Sequence, residues 1–168
     1  MNGKELTIPV ELSESQIRQI YLAAESETKL TGYEAPENGK MYFYEDALGR
    51  IQSIEANSNS EIQLKMLYDK ANCFSSERIA TNLARSDLLI RKLRRLAIEA
   101  RTAPLDFSKD GGYTITYNYQ DSCLECGMTG NWMALGDIVF PTEESARSAI
   151  NEYADELIWY FTEMKDSL

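Results

Sequence analysis

Apolar side chains fall along this chain in two rhythms, short runs of period two and longer stripes spaced three and four residues apart, and their alternation sets out the elements. Leu6, Ile8 and Val10 alternate as in a half-buried strand, although Pro9 confines it to an edge. Ser13 with Gln16 reads as a capping box, and Ile17, Ile20, Tyr21 and Ala24 form the stripe of a helix that ends near residues 27–30. Gly32, Pro36, Asn38 and Gly39 mark a loop. Residues 41–45 and 51–55 then read as a hairpin closed by residues 46–50, where Gly49 supplies a positive φ. Residues 56–61 read as a polar loop before a third short strand or turn ending at Phe74.

A long helix follows from Ser75 or Ser76, with Ile79, Leu83, Ile90, Leu93, Leu96 and Ala97 on its apolar side, and Pro104 stops it by about residue 103. Gly111 and Gly112 open a strand at 113–119 whose one face is Tyr113, Ile115, Tyr117 and Tyr119. A glycine-containing reversal at 121–130 and a returning strand at 132–140 are expected next. Thr142 caps a final helix with Glu143 and Glu144 in its first turn, and its stripe runs Ala146, Ala149, Ile150, Tyr153, Leu157, Tyr160, Phe161, Met164.

One phrase occurs twice. Residues 72–83 and 138–149 align at a spacing of 66 residues, with Phe74 on Phe140, Glu77 on Glu143 and Ala80 on Ala146. Each copy reads as a strand end, a hydroxyl cap and an amphipathic helix. The expectation is an α+β fold of two pseudo-repeated antiparallel strand-strand-helix units, at 31–103 and 104–168, preceded by a strand and helix within 1–30. At 168 residues and 43% apolar content, a single domain is the default reading, because two halves would each be marginal. No apolar run reaches the roughly 18–20 residues of a membrane span, and the first residues lack the long apolar stretch of a signal peptide, so a cytoplasmic protein is expected.

Charge changes the picture in one place. The chain carries a net charge of −10, which disfavours nucleic acid as a general partner because phosphate binding is driven by Lys and Arg. Residues 77–101 nonetheless hold seven basic side chains against three acidic ones, so a local +4 sits in a remainder of −14. Projected on a helix, Arg78, Arg85 and Lys92 lie along one edge of the apolar stripe, Arg94 and Arg101 along the other, and Arg91 and Arg95 between them on the outer side. Such a helix either pairs with the acidic rest of the fold or of a second subunit, or contacts phosphate or an acidic partner.

Candidate chemistry is sparse. Cys123 and Cys126 have a metal-like spacing, but with no histidine and only Cys73 besides, a zinc site would need Cys73 and a carboxylate to converge on them. Three cysteines without an export signal read as reduced thiols, and the pair lacks the strand-to-helix setting of a redox motif. No metal or other cofactor is expected. The absence of histidine removes the commonest general acid-base group, and no phosphate-binding loop, nucleophile elbow or dinucleotide fingerprint is present, so a protein without catalysis of its own is expected. Tyr42, Tyr44, Tyr113, Tyr117 and Tyr119 at alternating strand positions suit a base-stacking platform, but read more simply as sheet packed under helices.

Residues 31–44 (TGYEAPENGKMYFY), 71–77 (ANCFSSE) and 135–146 (LGDIVFPTEESA) closely resemble recurring phrases of a family of small accessory proteins from phages and prophages of Gram-positive gut bacteria. The resemblance spans about residues 31–163; its motifs are strand-and-cap phrases that mark a fold and assign no catalytic residue. It implies a protein that binds another protein, and among such proteins, inhibitors of CRISPR nucleases present carboxylates to surfaces built for nucleic acid. The expectation is therefore an inhibitor of a host defence nuclease, a CRISPR effector, acting in the host cytoplasm through an acidic face of Glu143, Glu144, Glu152, Asp155 and Glu156. Two alternatives stay open: a nucleic-acid-binding accessory protein using Arg78, Arg85, Arg91, Lys92 and Arg95, and a dimer that sequesters an anionic nucleotide signal with the same arginines.

Overall fold

A computed structural model of the protein describes residues 32–104, 111–130 and 138–164. The strand and helix expected within residues 1–30 lie outside the described residues, as does most of the returning strand expected at 132–140. Among the described residues the fold is α+β, with two antiparallel sheets of two strands each and four helices.

The first sheet is the hairpin of β1 (Met41–Glu45) and β2 (Ile51–Glu55), in the register Met41↔Glu55 to Glu45↔Ile51. Its turn is held by one side chain. Asp46 accepts from the Leu48 and Arg50 amides at 2.8 and 3.0 Å through one carboxylate oxygen and from Arg50 Nε and Gln52 Nε2 through the other. Gly49 stands at φ 80°, where a side chain would be strained. The second sheet pairs β3 (Gly112–Asn118) with β4 (Cys123–Thr129), from Gly112↔Thr129 to Asn118↔Cys123.

Each sheet is extended by a single antiparallel bridge. Phe43 and Phe74 exchange both backbone hydrogen bonds at 2.8 Å, and Tyr113 and Phe140 do so at 2.9 and 2.8 Å. Both phenylalanines are buried immediately before a helix, Phe74 before α2 (Glu77–Glu99) and Phe140 before α3 (Glu143–Glu152). Val139 lies so close to the backbone at Gly112 that a Cβ there would collide with it, which makes glycine obligatory at that approach.

The final helix begins as its sequence predicts. Thr142 Oγ1 accepts from the Ser145 amide at 3.2 Å, and the Ser145 hydroxyl completes the capping box. Its stripe is also as expected, with Ala146, Ala149, Tyr153, Leu157 and Met164 buried. The continuous helix is not: Tyr153 leaves helical geometry at φ −122°, ψ 27°, separating α3 from α4 (Ala154–Trp159), and a π-helical turn closes the described segment at Tyr160–Met164. The break re-aims the last turns and buries Trp159, which lies outside the predicted stripe.

Two further expectations are corrected. The stretch read as a loop and short strand contains a helix, α1 (Glu61–Asp69). Ile62, Leu64 and Met66 alternate as in a strand, but only Leu64 is buried, while Ile62 and Met66 are 78% and 56% exposed. The period-two pattern there is a coincidence of surface apolar residues rather than a core face. The reversal expected across 121–130 is confined to residues 119–122, and β4 takes the rest. Asn118 builds the tight turn by accepting the Gln120 and Asp121 amides at 2.9 and 3.2 Å, and Ser122, not a glycine, takes a positive φ of 52°.

Helix α2, about 34 Å long at ~1.5 Å per residue, joins the two halves. Near its start Ile79 and Ala80 pack with Phe74, flanked by Phe43, Ile51 and Leu83. Further along, Leu89, Leu93 and Ala97 enter the larger core with Phe140, Ala146, Ala149, Tyr153 and Leu157. A third cluster of Tyr42, Ala56, Leu64 and Cys73 anchors α1 to the first hairpin.

Candidate functional site

Four cations of the basic helix have partners within the fold. Arg85 lays its guanidinium over the Trp159 ring at 3.8 Å from the centroid, and Lys92 Nζ stands 5.2 Å from the centroid of Tyr153. Both contacts follow from helical spacing: residues 85 and 92 are two turns apart and share the edge of α2 that meets the C-terminal helices. On the outer side, Arg91 reaches Glu45 of β1 at 3.4 Å and Arg95 reaches Glu99 at 3.7 Å. Of the five predicted cations only Arg78 shows neither an ion pair nor a ring contact among the described residues. The arginines are thus dispersed around α2 and do not converge on one anion-sized site.

The predicted acidic face lies on α3 and α4 and divides into three parts. Glu143 is held by Arg147, whose Nη2 is 2.7 Å away, and this pairing raises the Arg147 pKa above its ordinary value. Glu152 and Glu156 flank Tyr153, whose phenol is raised above the usual range first by a hydrogen bond to Glu152 and then by burial, with Arg95 acting in the opposite direction. Glu144 and Asp155 are exposed and have no ion pair among the described residues.

Opposite charges therefore meet along the seam of α2 with the C-terminal helices, around Tyr153, while Glu144 and Asp155 remain outside it. Residues 143–164 carry six acidic side chains against Arg147 alone. The sequence reading placed Tyr153 in the apolar stripe but missed Trp159 and the cation contacts on both rings. The available signal was Arg85 and Lys92 at the edge of an apolar stripe, where long basic stems cover aromatic surface.

The cysteines do not assemble a centre. Cys123 and Cys126, three apart in β4, point to opposite faces: Cys123 is exposed and Cys126 packs against the main core, while Cys73 is buried in another cluster. Cys123 is pushed up by partial desolvation, then by Glu125 and Asp121, and Cys73 by burial, so both stay thiols at neutral pH. Among the described residues no group of three or more metal-ligating side chains is found, and no helix is long and apolar enough to cross a membrane.

The tyrosines serve packing. Tyr42 is 1% exposed, and its hydroxyl accepts from the Glu37 amide at 2.9 Å. Tyr113 packs on the main core. Tyr117 meets Tyr119 edge-on at 5.0 Å and lies nearly parallel to Phe161 at 6.0 Å, so this tyrosine face is partly covered by the π-helical turn, in keeping with the packing reading.

Two concavities border α2. An apolar crevice of about 160 Å³ lies inside the main core between Leu93, Ile115, Phe140, Leu157 and Phe161. An open groove of about 800 Å³ runs between the β1–β2 turn, the end of α1 and α2, with Leu48, Leu67, Ala84 and Leu88 in its walls and Lys70 and Arg91 beside them. No family model, curated protein or solved structure matches the chain.

Proposed function

We propose that the protein acts by binding another protein through the acidic outer side of its C-terminal helices, occupying a basic surface built for nucleic acid, with no chemistry of its own. The observation that carries this reading is the internal use of the basic helix. With Arg85 and Lys92 on aromatic rings and Arg91 and Arg95 in ion pairs, four cations of α2 are engaged within the fold and dispersed around the helix, whereas Glu144 and Asp155 face outward without an ion pair among the described residues. A carboxylate-bearing helix against a cationic groove gains association rate and orientation from complementary potential. The resemblance to phage accessory proteins supports, by analogy, a host defence nuclease, in particular a CRISPR effector, as the partner.

The test is inhibition of a panel of CRISPR nucleases by the wild type and by charge-reversed variants. Reversal on α3 and α4 is expected to weaken inhibition and Arg91→Glu with Arg95→Glu to matter less. Association is expected to fall with added salt as steering is screened beyond a Debye length of about 8–10 Å. The opposite ranking, or micromolar binding of DNA or RNA by the isolated protein at physiological salt, would favour the nucleic-acid reading instead.

A further inference from the structure

Strand β4 is the outer strand of the second sheet among the described residues. On β3, Tyr113 exchanges both backbone hydrogen bonds with Phe140, at 2.9 and 2.8 Å, so its N–H and C=O point away from β4. Antiparallel ladders alternate in this respect from residue to residue. Tyr113, Ile115 and Tyr117 therefore oppose Met128, Cys126 and Leu124 as non-hydrogen-bonded pairs, and those three residues of β4 turn their own N–H and C=O to the outer edge. No backbone hydrogen bond from that edge is made among the described residues. The devices that blunt an edge are missing from it: β4 runs for seven residues in unbroken register, without proline, lysine or a bulge. Met128, on the same face of the strand as the core-packed Leu124 and Cys126, is 69% exposed.

We propose that two copies of the chain join edge to edge through β4, antiparallel, about a two-fold axis at Cys126. Such an interface is isologous, so the strand has to complement itself. Centring the axis on Cys126 pairs all seven residues of β4. The outward-pointing residues then meet as hydrogen-bonded pairs, Leu124 with the partner's Met128 and Cys126 with its own counterpart, each pair exchanging both backbone bonds. Strand addition of this kind takes its affinity from the main chain and its register from the side chains.

The side chains suit that register on both faces. On the core side, Leu124 of each copy lies against the exposed Met128 of the other. On the opposite side, Glu125 meets the partner's Gly127 and Cys123 the partner's Thr129, so no like charges stand directly opposite. Glu125 is also drawn toward β3, and so away from the seam, by Asn118 Nδ2 at 2.9 Å. The edge of β2 fails the same requirement. Phe43 spends its backbone groups on Phe74, which turns Ser53 outward, and self-pairing about Ser53 would set Ile51 against the partner's Glu55.

The test combines cross-linking, oligomeric state and amide exchange on the full chain. Across the seam, Cys123 and the partner's Thr129 form a non-hydrogen-bonded pair with Cα atoms about 4.5 Å apart, within reach of a disulfide. Within one chain the same positions are six residues apart along the strand, about 20 Å, and cannot be bridged. Thr129→Cys treated with a thiol oxidant is therefore expected to give a covalent dimer linked through Cys123, located by peptide mapping. Ser53→Cys, at an exposed position of β2, is expected to yield at least 10-fold less. Without oxidant the wild type is expected to sediment as a dimer that dissociates on dilution. The amides of Leu124, Cys126 and Met128 should be protected from exchange in the dimer only, and those of Glu125 and Gly127, bonded to β3, in both states. Met128→Lys places a charge at the seam on an exposed position, and is expected to weaken association at least 10-fold with unchanged far-UV circular dichroism. A wild type that is monomeric throughout the micromolar range, equal cross-linking of Thr129→Cys and Ser53→Cys, or undiminished association of Met128→Lys would each overturn the proposal.

Discussion

Replacing Phe140 by alanine is the sharpest test of the packing scheme, because one side chain sits where the single-bridge strand, α2 and the C-terminal helices meet. The residue is 1% exposed, lies in the cluster with Leu89, Leu93 and Leu157, and borders the crevice of about 160 Å³. Burying a phenylalanine side chain stabilises by about 1.5–3 kcal/mol. Its removal leaves a void beside an existing one, and a residual void of roughly 80 Å³ adds about 2 kcal/mol at ~24 cal/mol per Å³.

The expected loss for Phe140→Ala is therefore about 4 kcal/mol, within the range of about 3–5 for such truncations. Phe74→Ala should cost less, about 3 kcal/mol, since Phe74 packs in a smaller cluster and keeps an edge-on contact with Tyr33 at 5.2 Å. Urea unfolding followed by far-UV circular dichroism reads both. At a slope of about 2 kcal/mol per molar, the Phe140→Ala midpoint should drop by roughly 2 M. A single transition is expected in each variant, because α2 belongs to both clusters. A midpoint change for Phe140→Ala equivalent to less than about 1 kcal/mol, or a larger loss for Phe74→Ala, would refute the reasoning.

Three shorter predictions follow from the same geometry. Asp46 is held at a pKa of about 2, first by the Arg50 amide and then by the Leu48 amide, the Arg50 side chain and Gln52. A depressed carboxylate contributes stability above its unfolded value near 4 that is lost as pH falls through the folded value. Asp46→Ala should therefore lower the melting temperature at pH 7, and the gap from wild type should close between about pH 4 and pH 2. Arg85→Ala should cost about 1–2 kcal/mol through the lost cation–π contact and stem packing, with a red shift in Trp159 emission; an unshifted spectrum would refute the contact. Prolonged chelation should leave far-UV circular dichroism and the melting temperature unchanged, and one zinc per chain by elemental analysis with unfolding in chelator would contradict the separation of the three thiols.

What the sequence made legible was the part of the fold that local rules decide. The hairpin at residues 41–55 forms as read because Asp46 and Gly49 determine the turn, and the burial of Phe74 and Phe140 before their caps follows from the repeated phrase. The observed bridges at these two phenylalanines are alike, but a duplication of whole units remains an expectation. The misreadings have local causes. Ile62, Leu64 and Met66 mimic a strand because surface apolar residues fell at period two. β4 was hidden because Gly127 looks like turn chemistry and the strand offers only Leu124 and Cys126 to the core. The break at Tyr153 carries no glycine or proline to announce it. At the candidate site, Arg85 and Trp159 are 74 residues apart, and nothing local to either marks their contact.

The same contacts decide which carboxylates are fit to test the proposed function. Reversing all five predicted acidic residues together would confound binding with folding. Lysine at 143 would release Arg147 from its 2.7 Å partner, and lysine at 152 or 156 would bring a cation toward Arg95 around Tyr153. Glu144 and Asp155 are exposed and have no ion pair among the described residues, and changes at such surface positions usually stay within about 0.5 kcal/mol. Glu144→Lys with Asp155→Lys changes net charge by +4, from −10 to −6, and should leave the melting temperature within a few degrees. Its effect on a susceptible nuclease should be at least a 10-fold loss of inhibition, seated mainly in the association rate and shrinking as salt is raised. Unchanged inhibition by this well-folded variant, at low and at physiological salt, would remove the acidic face from the mechanism.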